Sequence, residues 1–191
     1  EALLQKKQHQ KKITWPKFRE MEIPEGDTSI YELINGEIVK RASPNSRINE
    51  PPFGSVQNLA FQQKKKVGEF FTAPFDVYLD EYTAGIQPDL LFVSNERNFI
   101  IHDNNGIVGS PDLIVEIVSK GSVAHDRVTK KEVYEQFAVR EYWIVDVRSK
   151  TVEVYTIEND RYRLFSFAEE QGKIKSSVLP GFQMNVKAIF D

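Results

Sequence analysis

Two short stretches of the sequence each combine a carboxylate with a run of apolar residues. Residues 111–119 read PDLIVEIVS, in which Glu116 interrupts the run, and residues 87–94 read QPDLLFVS, in which Asp89 directly precedes it. Apolar runs of this length are typical of strands that are covered on both faces. A carboxylate in such a strand is costly to bury unless a cation, a hydrogen-bond donor or a proton accompanies it. We therefore hypothesise that Asp89 and Glu116 hold a divalent metal ion.

The residue types in the sequence narrow the choice of metal. Cysteine is absent and the three histidines, His9, His102 and His125, are scattered, so a zinc site with nitrogen and sulfur ligands is not expected. The sequence also contains no phosphate-binding loop, no dinucleotide-binding glycine motif and no GxSxG nucleophile motif. The remaining oxygen ligands suit Mg²⁺ or Mn²⁺, which can polarise a phosphoryl oxygen and lower the pKa of an attacking water.

A helix is predicted from about residue 126 to residue 139, and its apolar stripe includes a lysine. Lys130 lies at helical spacing with three apolar or aromatic residues on the same face, namely Val133, Tyr134 and Phe137. Its ammonium group either extends along the stripe to reach water or points at a buried carboxylate. The pattern leaves these two interpretations open.

Residues 31–41, YELINGEIVKR, predict a β-hairpin. Asn-Gly between two arms that contain apolar residues is the sequence preferred in a tight two-residue turn. Glu32 and Glu37 flank this turn. Either both face solvent as ordinary strand residues, or one of them reaches the metal site.

Length and composition indicate a single globular domain of residues 13–191 with a polar, basic arm of residues 1–12. A second helix is predicted at residues 55–71, and its lysines 64–66 form either a solvated face or a phosphate-binding patch. The net charge of −3 argues mildly against a large nucleic-acid surface. The absence of cysteine fits a reducing cytoplasm, and no apolar run approaches the roughly 20 residues of a membrane-spanning helix.

Taken together, these motifs resemble those of the PD-(D/E)XK nucleases, the restriction-endonuclease-like superfamily. More narrowly, the sequence resembles the Uma-type restriction endonucleases, a family also described as a domain of unknown function. The resemblance covers nearly all of residues 28–190. Its motifs are YELINGE (31–37), QPDLLFV (87–93), PDLIVEIVS (111–119), DRVTKKEVY (126–134), EYWIVD (141–146) and LPGF (179–182). Each motif is weak alone, whereas their order and spacing together are specific for the family.

The resemblance implies a mixed α/β fold with a restriction-endonuclease-like core, flanking helices and an N-terminal β-hairpin. It implies an endonuclease that hydrolyses phosphodiester bonds in DNA with Mg²⁺ or Mn²⁺, and a possible homodimer. An alternative is a catalytically weak or inactive nuclease-fold protein that serves as a nucleic-acid-binding or assembly module.

The resemblance also assigns site residues. Asp89 corresponds to the aspartate of the PD motif and Glu116 to the acid of the following strand, so both are expected to ligate metal and to take part in catalysis. Val118 occupies the place where the superfamily usually has a lysine. In the Uma-type branch a lysine on the next helix substitutes for it, which points to Lys130, with Lys120 as the alternative. Glu37, or else Glu32, would be an additional acid from the hairpin.

Overall fold

The computed structural model describes residues 12–41, 67–102, 106–118 and 125–190. Its helices are α1 (Trp15–Arg19), a 3-10 helix (Asn95–Ile100), a π-helical turn (His125–Lys130), α2 (Lys131–Gln136) and α3 (Lys187–Phe190). Its strands are β1 (Ile30–Ile34), β2 (Glu37–Arg41), β3 (Gly68–Thr72), β4 (Asp76–Tyr78), β5 (Leu90–Ser94), β6 (Ile101–His102), β7 (Gly106–Val108), β8 (Leu113–Val118), β9 (Glu141–Asp146), β10 (Thr151–Glu158), β11 (Arg161–Glu169), β12 (Lys173–Lys175) and β13 (Gln183–Asn185). The predicted mixed α/β class is confirmed.

A six-stranded mixed sheet with the order β11-β10-β9-β8-β5-β3 forms the centre of the fold. Strands β8 and β9 are parallel, and the other neighbouring pairs are antiparallel. One apolar cluster covers each face of the sheet. Because both faces are covered, β8 is buried along its whole length, Glu116 included, as the apolar residues on both sides of Glu116 predict.

The two strands with the predicted acids are direct neighbours. In the antiparallel β5–β8 pair, Leu90 lies opposite Val115 and Leu91 opposite Ile114. The same register continued by one residue places Asp89 opposite Glu116. Directly opposed residues of an antiparallel pair project from the same face of the sheet. The two carboxylates therefore lie on one side of the sheet.

The predicted β-hairpin is confirmed, with β1 and β2 paired from Ile30 and Arg41 to the turn. The turn residues Asn35 and Gly36 both have positive φ, 51° and 82°, which is the conformation that favours Asn-Gly. Leu33 exchanges two backbone hydrogen bonds with Ala84, at 3.0 and 2.8 Å. These bonds attach the hairpin to the segment that leads into β5.

The helix predicted at residues 55–71 is wrong in its last part, because residues 68–72 form strand β3. Residues 55–66, with lysines 64–66, lie outside the described residues. Phe70 lies opposite Phe92 in β5, and their ring centroids are 4.7 Å apart. Aromatic residues fit a half-buried strand. Here the free edge of β5 and the apolar surface beside it outweigh the helical spacing of the sequence.

The connection from β8 to β9 contains the helix predicted from about residue 126 to residue 139. It is a π-helical turn that continues directly into α2, and it ends before Ala138, which has a φ of 53°. The predicted inward face is confirmed, since Lys130, Val133 and Tyr134 are at most 2% exposed. This face packs over the same side of the sheet that contains Glu116.

Two further expectations concern the ends of the chain and the membrane. The basic arm lies almost wholly outside the described residues, so its separation from the domain of residues 13–191 stays a prediction. In the described part of the chain, no helix is both long and apolar enough to cross a membrane.

Candidate active site

Asp89 and Glu116 form the floor of the candidate site. Asp89 is 6% exposed and Glu116 is 1% exposed. The Asp89 Oδ2 atom accepts a hydrogen bond of 2.6 Å from the backbone N–H of Ile117. This bond ties the start of β5 to the last part of β8 and fixes the Asp89 carboxylate beside the residue that follows Glu116.

Lys130 reaches Glu116 from the helix above the sheet. Its Nζ atom donates a hydrogen bond of 2.6 Å to Glu116 Oε1, and the lysine side chain is completely buried. The π-helical turn and α2 place Lys130 and Tyr134 one turn apart, and the Tyr134 hydroxyl donates to the same Oε1 atom at 2.8 Å. Of the two interpretations of the lysine stripe, the structure shows the ammonium pointing at a buried carboxylate. Lys120, the alternative lysine, lies outside the described residues.

The hairpin contributes Glu32 to this cluster. Glu32 is completely buried, and its Oε1 atom lies 3.4 Å from Lys130 Nζ. Glu37 is exposed at the turn end of the hairpin, and among the described residues it shares no hydrogen bond or ion pair with the cluster. The structure therefore brings Glu32, the alternative acid, next to Lys130 and leaves Glu37 exposed, while a catalytic role of either acid stays a prediction. The reason is that Glu32 lies within strand β1, where the hairpin packs against the helix.

Two more side chains surround Glu32. The Arg41 Nη1 atom donates to Glu32 Oε1 at 3.0 Å, and His125 Nε2 lies 3.1 Å from Glu32 Oε2. His125 is the first residue of the π-helical turn and Arg41 the last residue of β2. Glu32 therefore joins the hairpin to the helix through contacts on both of its oxygens.

Asp126 is the fourth acid of the cluster and its contacts are incomplete. Its side chain is completely buried, and Arg41 Nη2 lies 3.5 Å from its Oδ1 atom. Neither carboxylate oxygen accepts a hydrogen bond from any residue that the structure describes. The Tyr142 hydroxyl donates to the backbone carbonyl of Asp126 at 2.9 Å, which fixes the main chain but leaves the carboxylate without a donor.

Burial and charge shift the pKa of Glu116 and Lys130 in the same direction. Burial raises the pKa of Glu116 to about 8; Lys130 opposes this shift, and Asp126 and Asp89 add to it. Burial works to lower the pKa of Lys130, but Glu116 and Glu32 outweigh it and raise that pKa. Lys130 therefore stays charged at neutral pH. Glu116 is the acid of the cluster that takes up a proton when no cation besides Lys130 and Arg41 is close to it.

Glu32 shifts in the opposite direction from Glu116. Burial works to raise the pKa of Glu32, but Lys130, His125 and Arg41 together outweigh it and lower that pKa. Burial disfavours the charged form of both acids, so the nearby positive charges decide the sign. Glu32 remains ionised at neutral pH, and its role in the cluster is to hold cations in place.

The charge balance of the cluster fits a bound divalent cation. Four buried acids, Asp89, Glu32, Glu116 and Asp126, face two permanent cations, Lys130 and Arg41, and neither oxygen of Asp126 accepts a hydrogen bond from a described residue. No group of three or more His, Asp or Glu side chains within the described ranges is arranged to hold a metal. Mg²⁺ is commonly bound through only one or two carboxylates, with water completing its shell. Asp89 and Glu116 supply such a pair.

Sequence reasoning missed three members of the cluster, namely Arg41, His125 and Asp126. Arg41 and Glu32 project from the same face of the hairpin, because Arg41 lies opposite Ile30, which is two residues from Glu32 in β1. The predicted turn sets this register, so the shared face of Arg41 and Glu32 could have been predicted from the sequence. The positions of His125 and Asp126 depend on the π-helical turn, for which the sequence offers no signal.

Comparison with known proteins supplies the family. The sequence matches the Uma2 family model, described as "Putative restriction endonuclease", over residues 15–187. The fold resembles the crystal structure of "a putative nuclease belonging to DUF820" from Anabaena variabilis ATCC 29413, with a TM-score of 0.68 and 16% sequence identity, over 93% of this chain and 97% of that one. A search of curated proteins gave no match. Since the family model spans residues 15–187 of 191, this chain belongs to the Uma2 restriction endonuclease family.

Proposed function

We propose that this protein is an endonuclease that hydrolyses phosphodiester bonds in DNA and depends on Mg²⁺ or Mn²⁺. The observation that carries the proposal is the opposition of Asp89 and Glu116 on one face of the sheet, with Lys130 Nζ 2.6 Å from Glu116. Membership of a restriction endonuclease family supports hydrolysis of nucleic acid as the reaction class. The choice of DNA, the metal and the expected homodimer are predictions.

Asp89 and Glu116 would hold the metal ion. Such an ion polarises a phosphoryl oxygen and lowers the pKa of an attacking water. The backbone bond from Ile117 keeps Asp89 in place, and the bonds from Lys130 and Tyr134 keep Glu116 in place. Both ligands are therefore held by the fold before any ion arrives, which is the arrangement that catalytic sites require.

Lys130 has an electrostatic role in this proposal. Because nearby acids raise its pKa, it does not give up a proton at neutral pH and is unsuited to act as a general base. Its positive charge offsets part of the negative charge that develops on the phosphoryl group in the transition state. Glu32 contributes indirectly, since it holds Lys130 from the hairpin side.

Cleavage of supercoiled plasmid tests the proposal. The protein should nick plasmid in Mg²⁺ or Mn²⁺ and not in EDTA. Asp89→Asn should abolish nicking, because the amide keeps the size of the side chain but loses its charge. Asp160→Asn is the matched control, since Asp160 is exposed in the turn between β10 and β11. Equal nicking by both variants would refute the assignment, and parallel reactions with single-stranded RNA identify the substrate.

A nuclease fold without cleavage is the second candidate function. Val118 stands where the superfamily has its lysine, and Lys130 is fully buried between Glu116 and Glu32. A lysine that is held this way can serve stability alone. In that case no nucleic acid is cut with any divalent metal, while gel-shift or sedimentation measurements still detect binding or self-association.

A further inference from the structure

The two side-chain donors that contact Glu116 use the same oxygen. Lys130 Nζ at 2.6 Å and the Tyr134 hydroxyl at 2.8 Å both donate to Oε1. Within the described part of the chain, no donor is directed at Oε2. A carboxylate held at one oxygen by two donors has a fixed plane and presents its other oxygen in a fixed direction.

Tyr134 is placed rigidly enough to fix that direction. Its side chain is completely buried, and its ring lies edge-on to Tyr142 with centroids 5.1 Å apart. Lys130 and Tyr134 lie one helical turn apart on the same helix face, so their two donor groups converge on one point. Lys130 alone could follow the carboxylate through several rotations, because its ammonium group is a compact charge on a flexible stem. The phenol is held by packing and has one O–H.

We propose that Tyr134 is a positioning residue for the metal ligand Glu116, and that it fixes Oε2 as the oxygen presented to the cation. This inference depends on the proposed function, because it assumes that Glu116 ligates a divalent ion. Hydrogen-bond partners that orient a ligand typically contribute 10- to 100-fold to metal affinity.

Calorimetric and EPR titration of the whole protein with Mn²⁺, without nucleic acid, tests the inference. Tyr134→Phe removes only the hydroxyl and should bind Mn²⁺ about 10- to 100-fold more weakly than the parent protein. Tyr162→Phe is the matched control. It removes a buried hydroxyl that donates to the Val139 carbonyl at 2.8 Å, so it loses a comparable bond away from Glu116. Its Mn²⁺ affinity should equal that of the parent.

Urea unfolding of the two variants without metal separates orientation from stability. Similar losses of stability, combined with weaker Mn²⁺ binding in Tyr134→Phe alone, support the inference. Equal Mn²⁺ affinity in Tyr134→Phe and the parent overturns it and leaves the proposed metal site intact. Failure of Tyr134→Phe to fold also overturns it, since the hydroxyl would then serve folding. Failure of the parent to bind Mn²⁺ refutes the metal site itself, and the inference with it.

Discussion

Replacement of Lys130 by methionine tests the buried charge cluster most directly. The variant keeps a long apolar side chain but removes the ammonium group 2.6 Å from Glu116 and 3.4 Å from Glu32. Removal of one partner of a buried ion pair costs about 3–5 kcal/mol, because the other charge is left without compensation. At about 2–4 °C per kcal/mol for a domain of this size, the melting temperature should fall by roughly 6–20 °C.

The size of this loss should depend on pH. The folded-state pKa of Glu116, about 8, is above its ordinary value of 4.5. A group with a raised folded-state pKa stabilises the fold below the unfolded pKa and loses that contribution as the pH rises through the folded pKa. Without Lys130 the Glu116 pKa rises further. Up to about pH 8 the parent and the variant lose stability with the same slope, and above it only the variant continues to do so. The difference in unfolding free energy should therefore be larger at pH 9 than at pH 6, by about 1.4 kcal/mol at most.

Urea unfolding at pH 6 and pH 9, with thermal melts beside it, measures the effect. Lys131→Met is the control, because Lys131 is partly exposed and its Nζ atom lies over the Tyr155 ring, 3.5 Å from the ring centroid. It should cost about 1 kcal/mol or less, the value of one cation–π contact. The double variant Lys130→Met with Glu116→Gln should recover most of the stability and lose the pH dependence. If Lys130→Met is as stable as the parent, or equally destabilised at both pH values, the electrostatic account is refuted.

Two further predictions concern acids in different surroundings. Glu32→Gln should lower the free energy of unfolding by about 3 kcal/mol at pH 7. The difference from the parent should shrink below about pH 4.5. The reason is that the folded state lowers the pKa of Glu32, so its stabilising contribution disappears as the carboxylate takes up a proton. Chemical unfolding at pH 7 and pH 3.5 checks this, and the exposed Glu37→Gln should change stability by less than about 0.5 kcal/mol. Glu141→Gln should cost about 1–3 kcal/mol, because Glu141 accepts bonds from Trp143 and from both donors of Ser177 that join β9 to residues 176–178. Unchanged urea midpoints for Glu141→Gln would show that these bonds contribute nothing net.

Local sequence patterns predicted the elements that carry the site. The Asn35-Gly36 turn specified the hairpin, and the apolar runs around Asp89 and Glu116 specified two buried strands. The stripe of Lys130 and Tyr134 specified the inward face of the helix. Each of these signals depends on residues close together in the chain, where backbone periodicity alone decides which side chains share a face.

Contacts between segments far apart in the chain decided the features that local sequence patterns did not predict. Residues 68–72 have helical spacing with the residues before them, yet they form β3 because the edge of β5 is available for pairing. Glu32 and Glu37 are equivalent in the sequence of the hairpin, and only the packing of the hairpin against the helix buries Glu32 beside Lys130.

The sequence by itself determined which acids and which lysine are available, and on which face of its own element each one lies. Only the tertiary structure decided their protonation. Glu116 and Glu32 are both buried carboxylates, but the pKa of Glu116 is raised and that of Glu32 is lowered. The physical reason is that desolvation is a property of burial, whereas the opposing Coulomb energy depends on the distance to cations contributed by segments far away in the chain.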